Sequence, residues 1–189
     1  MEIFDIIRKR RSIRSFTQEP VSTKNLKLMI EMARLAPSAA NLQPVSYICV
    51  NTKEYTDKIF PLTRWAGYTA PKGVPTKEDA PTAYIVVLVD DKISPKWGDF
   101  DGAYASENIV LSAEAMGISS CILGAVDKEE IKKMFNIEDN RRIHTVIALG
   151  YANQTSDFFD MEDNFKYSID DNNNFKVPKR KTEDICKFV

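Results

Sequence analysis

Ile3, Phe4, Ile6 and Ile7 form a short apolar stripe at helical spacing, and it ends against the basic run at residues 8–11. Residues 10–16 read as extended chain. Period two then places Arg10, Ser12 and Arg14 on one side and Arg11 and Ile13 on the other. A second helix is predicted from Ser22 or Thr23; it carries Leu26, Met29, Ile30 and Ala33 and stops before Pro37. Residues 37–44 form a loop feeding a strand at 45–50, and residues 53–68 look helical but are broken by Pro61. Residues 72–81, with Pro71, Pro75 and Pro81 around them, read as a surface excursion.

The β-branched run at 83–89 suits a central strand buried on both sides. Residues 103–116 predict a long, largely apolar helix ended by Gly117. A short strand at 119–123 runs into Gly124. Asp127 then caps a helix that buries Ile131, Met134 and Phe135, and residues 142–149 form the last core strand. Beyond Gly150 the chain lacks a clear core pattern until a short helix at 182–188. An irregular tail of about forty residues fits poorly in a compact monomer and better when draped over a partner. The expectation is one domain spanning 1–189, with 151–189 as an extended arm over a second subunit.

Hydrophobic content of 43%, charged content of 28% and a formal net charge of −1 describe an ordinary soluble domain. A nucleic-acid module using the terminal basic clusters is the less favoured reading, because it would prefer a basic total and more aromatic and basic residues along one surface. No apolar run reaches membrane-spanning length, and the start of the chain has no signal-peptide core; a cytoplasmic protein is expected. Cys49, Cys121 and Cys186 form no CxxC pair, so neither a disulfide framework nor a zinc site is indicated. Cys49 and Cys121 read as packed small hydrophobes, and His144, the only histidine, as structural.

Charge is uneven along the chain. Arg8, Lys9, Arg10, Arg11 and Arg14 crowd one end, and Lys176, Lys179, Arg180, Lys181 and Lys187 crowd the other. Guanidinium forks hold phosphate oxygens bidentately and stay charged at any working pH. With the amide- and hydroxyl-bearing loop at 37–44, this inventory suits a ligand with a phosphate at one end and a flat polar heterocycle at the other.

The ordered pattern RRSIRSF, APSAANLQP, GISSCILGA and VPKRK resembles the FMN-dependent nitroreductase family over nearly the whole chain. The resemblance implies an α+β, three-layer fold, with a mostly antiparallel central sheet flanked by helices, and a domain-swapped-tail homodimer with FMN at the interface. It implies FMN contacts from Arg10 and Ser12 to phosphate and ribityl, with Arg11 beside them, and from Arg14 near the pyrimidine edge. Lys179 and Lys181 match the C-terminal phosphate pair, although a one-residue shift would bring in Arg180. Pro37, Ser38, Ala39 and Asn41 resemble the loop that approaches the flavin from the other subunit, with Gln43 securing it. Leu123 and Gly124 match the segment whose backbone N–H reaches flavin N5. Arg64 either reaches the flavin or sits on the surface, with Trp65 and Tyr68 as core or pocket wall.

The implied activity is reduction of nitroaromatic, quinone or related electrophilic acceptors by NAD(P)H, in a ping-pong sequence. FMN would carry the chemistry, without a catalytic dyad or a metal. The absence of GxGxxG fits a nicotinamide that binds transiently over the flavin. Two alternatives stay open: an FMN-binding protein without turnover, and a relative with other flavin chemistry such as dehydrogenation, dehalogenation or flavin reduction.

Overall fold

Four strands, β1 (Val45–Val50), β2 (Ala83–Asp90), β3 (Ser119–Leu123) and β4 (Arg141–Gly150), pair antiparallel in the order β1-β2-β4-β3 in the computed structural model, which describes residues 2–189. Every residue of β2 is buried, as its β-branched run predicts for a strand covered on both faces. Strand alternation divides the core in two. Tyr84, Val86 and Leu88 join a cluster with Ile59, Trp65 and Ile131; Ala83, Ile85 and Val87 join one with Leu26, Met29, Ile109 and Ala113. Helices α2 (Thr23–Ala33) and α4 (Gly98–Ala115) therefore cover one face, and α3 (Lys53–Ile59) and α5 (Lys128–Met134) the other. This is the expected three-layer α+β arrangement. α1 (Ile3–Lys9) buries only Ile6. Ser22 caps α2 by accepting from the Asn25 N–H, and Asp127 caps α5 by accepting from the Glu130 N–H.

Several boundaries differ from expectation. α4 begins at Gly98, not at residue 103. Two glycines and two aspartates at 98–102 read as helix breakers, yet both glycines serve close packing on the sheet. A Cβ on Gly98 would lie 2.3 Å from Val89, and one on Gly102 would lie 2.9 Å from the His144 ring. Helix α3 ends at Ile59 and passes into a single 3₁₀ turn at Phe60–Leu62, so the helical reading of 53–68 is too long. Cys49 is exposed, not packed, because β1 lies at the sheet edge; Cys121 on β3 is buried as expected.

The tail is more ordered than its pattern suggests. β5 (Ser156–Asp160) and β7 (Phe175–Lys179) pair in parallel, and β6 (Ser168–Ile169) adds to β7 antiparallel. Phe175 is fully buried in the same chain's core, with Tyr167 and Ile169 packed around it. The short helix expected at 182–188 is only a 3₁₀ turn at Thr182–Asp184.

The first turn of α4 is anchored electrostatically to β4. Asp99 accepts from Arg142 at 2.7 Å and lies 3.2 Å from His144 Nδ1, while Arg142 also reaches Asp91 at 2.8 Å. Hydrogen bonding from Arg142 holds the Asp99 carboxyl below its usual value of 3.8. A group whose value falls on folding stabilises the fold above its unfolded value and loses that contribution as pH drops through its folded one. Acidification below the usual aspartate value of 3.8 should therefore lower the melting temperature. Asp99→Asn should show a flatter acid limb in the same titration. Because Asp99 is largely solvent-exposed, the difference should be small.

Candidate functional site

The segment after α1 runs beside β3. Ser12 bridges Ser120 in parallel, and the Ile13 N–H donates to the Ser120 carbonyl at 3.0 Å. This placement sorts the side chains by period two. Ile13 enters the core, while Ser12 lies against β3 and Arg14 folds back over it, with Arg10 two residues before Ser12 on the same side of the extended segment. Burial pushes the Cys121 thiol up; Arg14, Ser12 and Arg10 act against that shift. Arg14 donates to the Ser12 carbonyl at 3.3 Å and lies over the rings of Phe175 and Tyr167, at 4.5 and 4.9 Å from their centroids.

Arg11 turns to the other side. It lines a cavity of about 400 Å³ with Arg8, Lys9, Glu114 and Phe158, donates to the Arg8 carbonyl and stacks on Phe158 at 4.6 Å. Burial, then the charge of Arg10, lowers the Arg11 guanidinium from its ordinary value. The structure thus brings Ser12 and Arg14 together and turns Arg11 toward Phe158, with Arg10 next to Arg11 in sequence and close enough for its charge to act on Arg11.

β3 carries the cluster toward Gly124. Cys121 and Gly124 are three residues apart, a span of about 10 Å at strand rise. The Leu123 carbonyl is taken by the Thr145 hydroxyl at 2.9 Å. Among the described residues the Gly124 N–H has no protein acceptor, and a Cβ placed on Gly124 would meet nothing within 4 Å. An unbonded donor on an exposed residue therefore lies one strand-length from the segment that carries Arg10 and Arg14. The loop after Gly124 is stitched to residues 62–64: Arg64 N–H donates to the Ala125 carbonyl at 2.9 Å, and Asp127 N–H to the Leu62 carbonyl at 2.8 Å. The exposed Arg64 side chain is spent on the Pro61 and Thr63 carbonyls, and Trp65 is core.

The loop at 37–44 lies on α4, away from this cluster. Ser38 Oγ–H and the Ala39 N–H both donate to the Asp101 carboxylate, at 2.9 and 3.0 Å. The Gln43 N–H donates back to Ser38 Oγ at 2.9 Å, and Gln43 Nε2 to the Asn41 carbonyl at 3.2 Å. Gln43 fastens the loop, and the Ser38 hydroxyl is turned inward. Pro37 is exposed, and Asn41 is exposed with φ +57°.

At the other end of the chain Arg180 donates to the Asp184 carbonyl. Lys179 and Lys181 are exposed and, among the described residues, make no side-chain hydrogen bond or ion pair. Lys179 lies two residues beyond Val177, which pairs with Phe158, the ring under Arg11. That offset corresponds to about 7 Å along the strand. The commitment of Arg180 favours Lys179 and Lys181 as the free cations.

The nitroreductase family profile matches residues 7–151, most of the chain. The chain belongs to the nitroreductase family. Its match spans the cluster around Cys121, the loop at 37–44 and Gly124, and leaves the small tail sheet outside. An Archaeoglobus fulgidus protein with the provisional name NADH dehydrogenase/NAD(P)H nitroreductase is 32% identical over 171 residues, which is 87% of this chain and 93% of that one. The crystal structure of a nitroreductase family protein from Clostridium novyi NT is similar with a TM-score of 0.69 and 29% identity, covering 81% of this chain and 86% of that one. A provisionally assigned nitroreductase from Exiguobacterium sibiricum, solved in complex with FMN, shares the fold at a TM-score of 0.69 and 19% identity over 81% of this chain and 89% of that one.

In this family member, sequence reasoning missed three side chains that shape the site: Asp101 under the loop, and Tyr167 and Phe175 under Arg14. Asp101 shares a four-residue spacing with Ala105, Ile109 and Ala113, and an acid on that buried stripe was the available signal. Nothing in the polar sequence around Tyr167 and Phe175 marked them. His144 packs on Gly102 and faces Asp99, a structural position. Among the described residues, no group of three or more His, Cys, Asp or Glu could hold a metal ion, and no helix is long and apolar enough to cross a membrane.

Proposed function

We propose that this nitroreductase-family chain is an FMN-dependent oxidoreductase that uses NAD(P)H to reduce electrophilic acceptors such as nitroaromatics and quinones. One observation carries the reading: the segment bearing Arg10, Ser12 and Arg14 runs beside β3, the strand that leads to the exposed Gly124, whose N–H has no acceptor among the described residues. The donor set fits the cofactor. Cations and a hydroxyl suit a phosphate and its ribityl chain, and Gly124 leaves room and a donor for the isoalloxazine edge. Lys179 and Lys181 supply further positive charge to the phosphate, and Leu123 and Gly124 support the ring. When bound, FMN would supply the redox chemistry, with NAD(P)H as electron donor and the acceptor as second substrate of a ping-pong sequence. Arg14 stabilises negative charge that develops at the pyrimidine edge, and its own position is held by Tyr167 and Phe175.

A homodimer belongs to this reading. Phe4 and Ile7 on α1, Leu28 on α2, and Phe100 and Tyr104 on α4 are large apolar side chains left exposed on three helices. Pairing through them would bring Pro37, Ser38, Ala39 and Asn41 of one subunit toward the other's flavin and let part of the 151–189 arm cross over.

The test is anaerobic titration of FMN-loaded protein with NADH and NADPH. Bleaching of the visible flavin band, followed by return of colour when a nitroaromatic or quinone is added, is expected. Bound flavin that neither nicotinamide reduces would leave the non-catalytic FMN-binding alternative. Gly124→Val offers a second check. It should melt close to wild type, since a Cβ at this exposed position meets no protein atom within 4 Å, yet bind FMN about tenfold or more weakly through overpacking.

A further inference from the structure

We propose that Asp101 is a positioning residue for the flavin, holding the loop at 37–44 in the one shape that lets it reach the cofactor. The inference rests on the FMN reading above and adds a residue and a mechanism to it.

Asp101 is 2% exposed and, among the described residues, no lysine, arginine or histidine pairs with it. A buried carboxylate without a cation is costly unless donors satisfy it. Both donors come from the loop: Ser38 Oγ–H on Oδ2 at 2.9 Å and the Ala39 N–H on Oδ1 at 3.0 Å. Ser38 Oγ then accepts from the Gln43 N–H at 2.9 Å, extending the chain of bonds across the loop.

Between those anchor points the backbone is strained. Ala40, Asn41 and Gln43 hold φ of +49°, +57° and +53°, a region that side chains other than glycine enter at a cost. Such conformations persist only where surrounding structure enforces them. Backbone bonds from the Asn41 N–H to the Ser38 carbonyl (2.9 Å) and from the Leu42 N–H to the Ala39 carbonyl (3.0 Å) close the turn, and the Asp101 carboxylate ties it to α4 at Ser38 and Ala39. A cavity of about 160 Å³ beside the loop, lined by Ala36, Pro37, Tyr47 and Ala105, offers space into which an unclamped loop would relax. Phe100 and Tyr104 project to solvent from the same helix within one turn of Asp101. The clamp therefore fixes the loop relative to the helix face on which the second subunit would pack.

The experiment uses the full chain and compares Asp101→Ala, Asp101→Asn and Ser38→Ala for FMN affinity, kcat, KM for NAD(P)H and sedimentation behaviour. Asp101→Ala should sediment like wild type, bind FMN about tenfold more weakly and show a raised KM at saturating FMN. Asp101→Asn should recover most of this, since its amide oxygen still accepts from the Ala39 N–H and its NH₂ donates to Ser38 Oγ. Ser38→Ala should fall between the two. If Asp101→Ala does not fold, Ser38→Ala decides: FMN affinity and KM within about twofold of wild type would overturn the proposal, as would the same result for a folded Asp101→Ala. Wild-type protein that binds no FMN would instead refute the underlying reading, which separates the two failures.

Discussion

The Arg10→Ala/Arg14→Ala double variant is expected to bind FMN about a hundredfold to ten-thousandfold more weakly than wild type. Each arginine offers a charge-assisted contact, and losing one costs about 1.5–3 kcal/mol, where about 1.4 kcal/mol is tenfold in affinity. Fluorescence titration of FMN measures the loss. Two controls give the result its meaning. Arg14→Lys keeps the charge but not the planar stack on Phe175 and Tyr167, so it should lie between wild type and Arg14→Ala. Arg11→Ala should lose less affinity than either single alanine variant, because Arg11 faces the opposite side of the segment and stacks on Phe158. An Arg11 effect equal to that of Arg10 or Arg14 would contradict the sorting of side chains around Cys121.

Phe175→Ala should be the most destabilising single change in the tail. The ring is fully buried, 5.7 Å from that of Tyr167, and it supports the Arg14 guanidinium. Truncating a buried phenylalanine costs about 3–5 kcal/mol through lost transfer energy and the cavity left behind. In a chain of this size the melting temperature should fall by about 6–20 °C. FMN affinity should fall as well, because Arg14 loses one of its two aromatic supports. Thermal denaturation with and without FMN reads both effects. A melting temperature within about 2 °C of wild type would mean that Phe175 does not hold the tail in its own subunit's core.

The central layers were legible in the sequence because their patterns are local. The β-branched run of β2 announced a strand buried on both faces, and Ser22 and Asp127 announced their helix starts. Period two separated Ser12 and Arg14 from Arg11. What stayed hidden depends on contacts distant in sequence. Gly98 and Gly102 look like breakers until Val89 and His144 are seen against them. Cys49 looks like core until β1 is placed at the sheet edge. Residues 151–189 lack periodicity because β5, β6 and β7 are short, interrupted by asparagines and aspartates, and bury little beyond Phe175 and Pro178.

The candidate site divides along the same line. The Arg10–Arg14 segment and Gly124 are joined by β3 within one chain, so motif and geometry coincide. The loop at 37–44 does not join them within that chain. Its observed partner is Asp101, which no local motif marks. A residue that acts by holding another stretch of chain leaves its trace in burial and hydrogen bonding, not in residue type.

Equilibrium titration of purified wild-type protein with FMN, followed by flavin fluorescence and by sedimentation in the visible flavin band, tests the central claim most directly. Saturable, stoichiometric binding, with colour sedimenting as a dimer, is the predicted result. Colourless protein that sediments as a monomer and quenches no added FMN would contradict it.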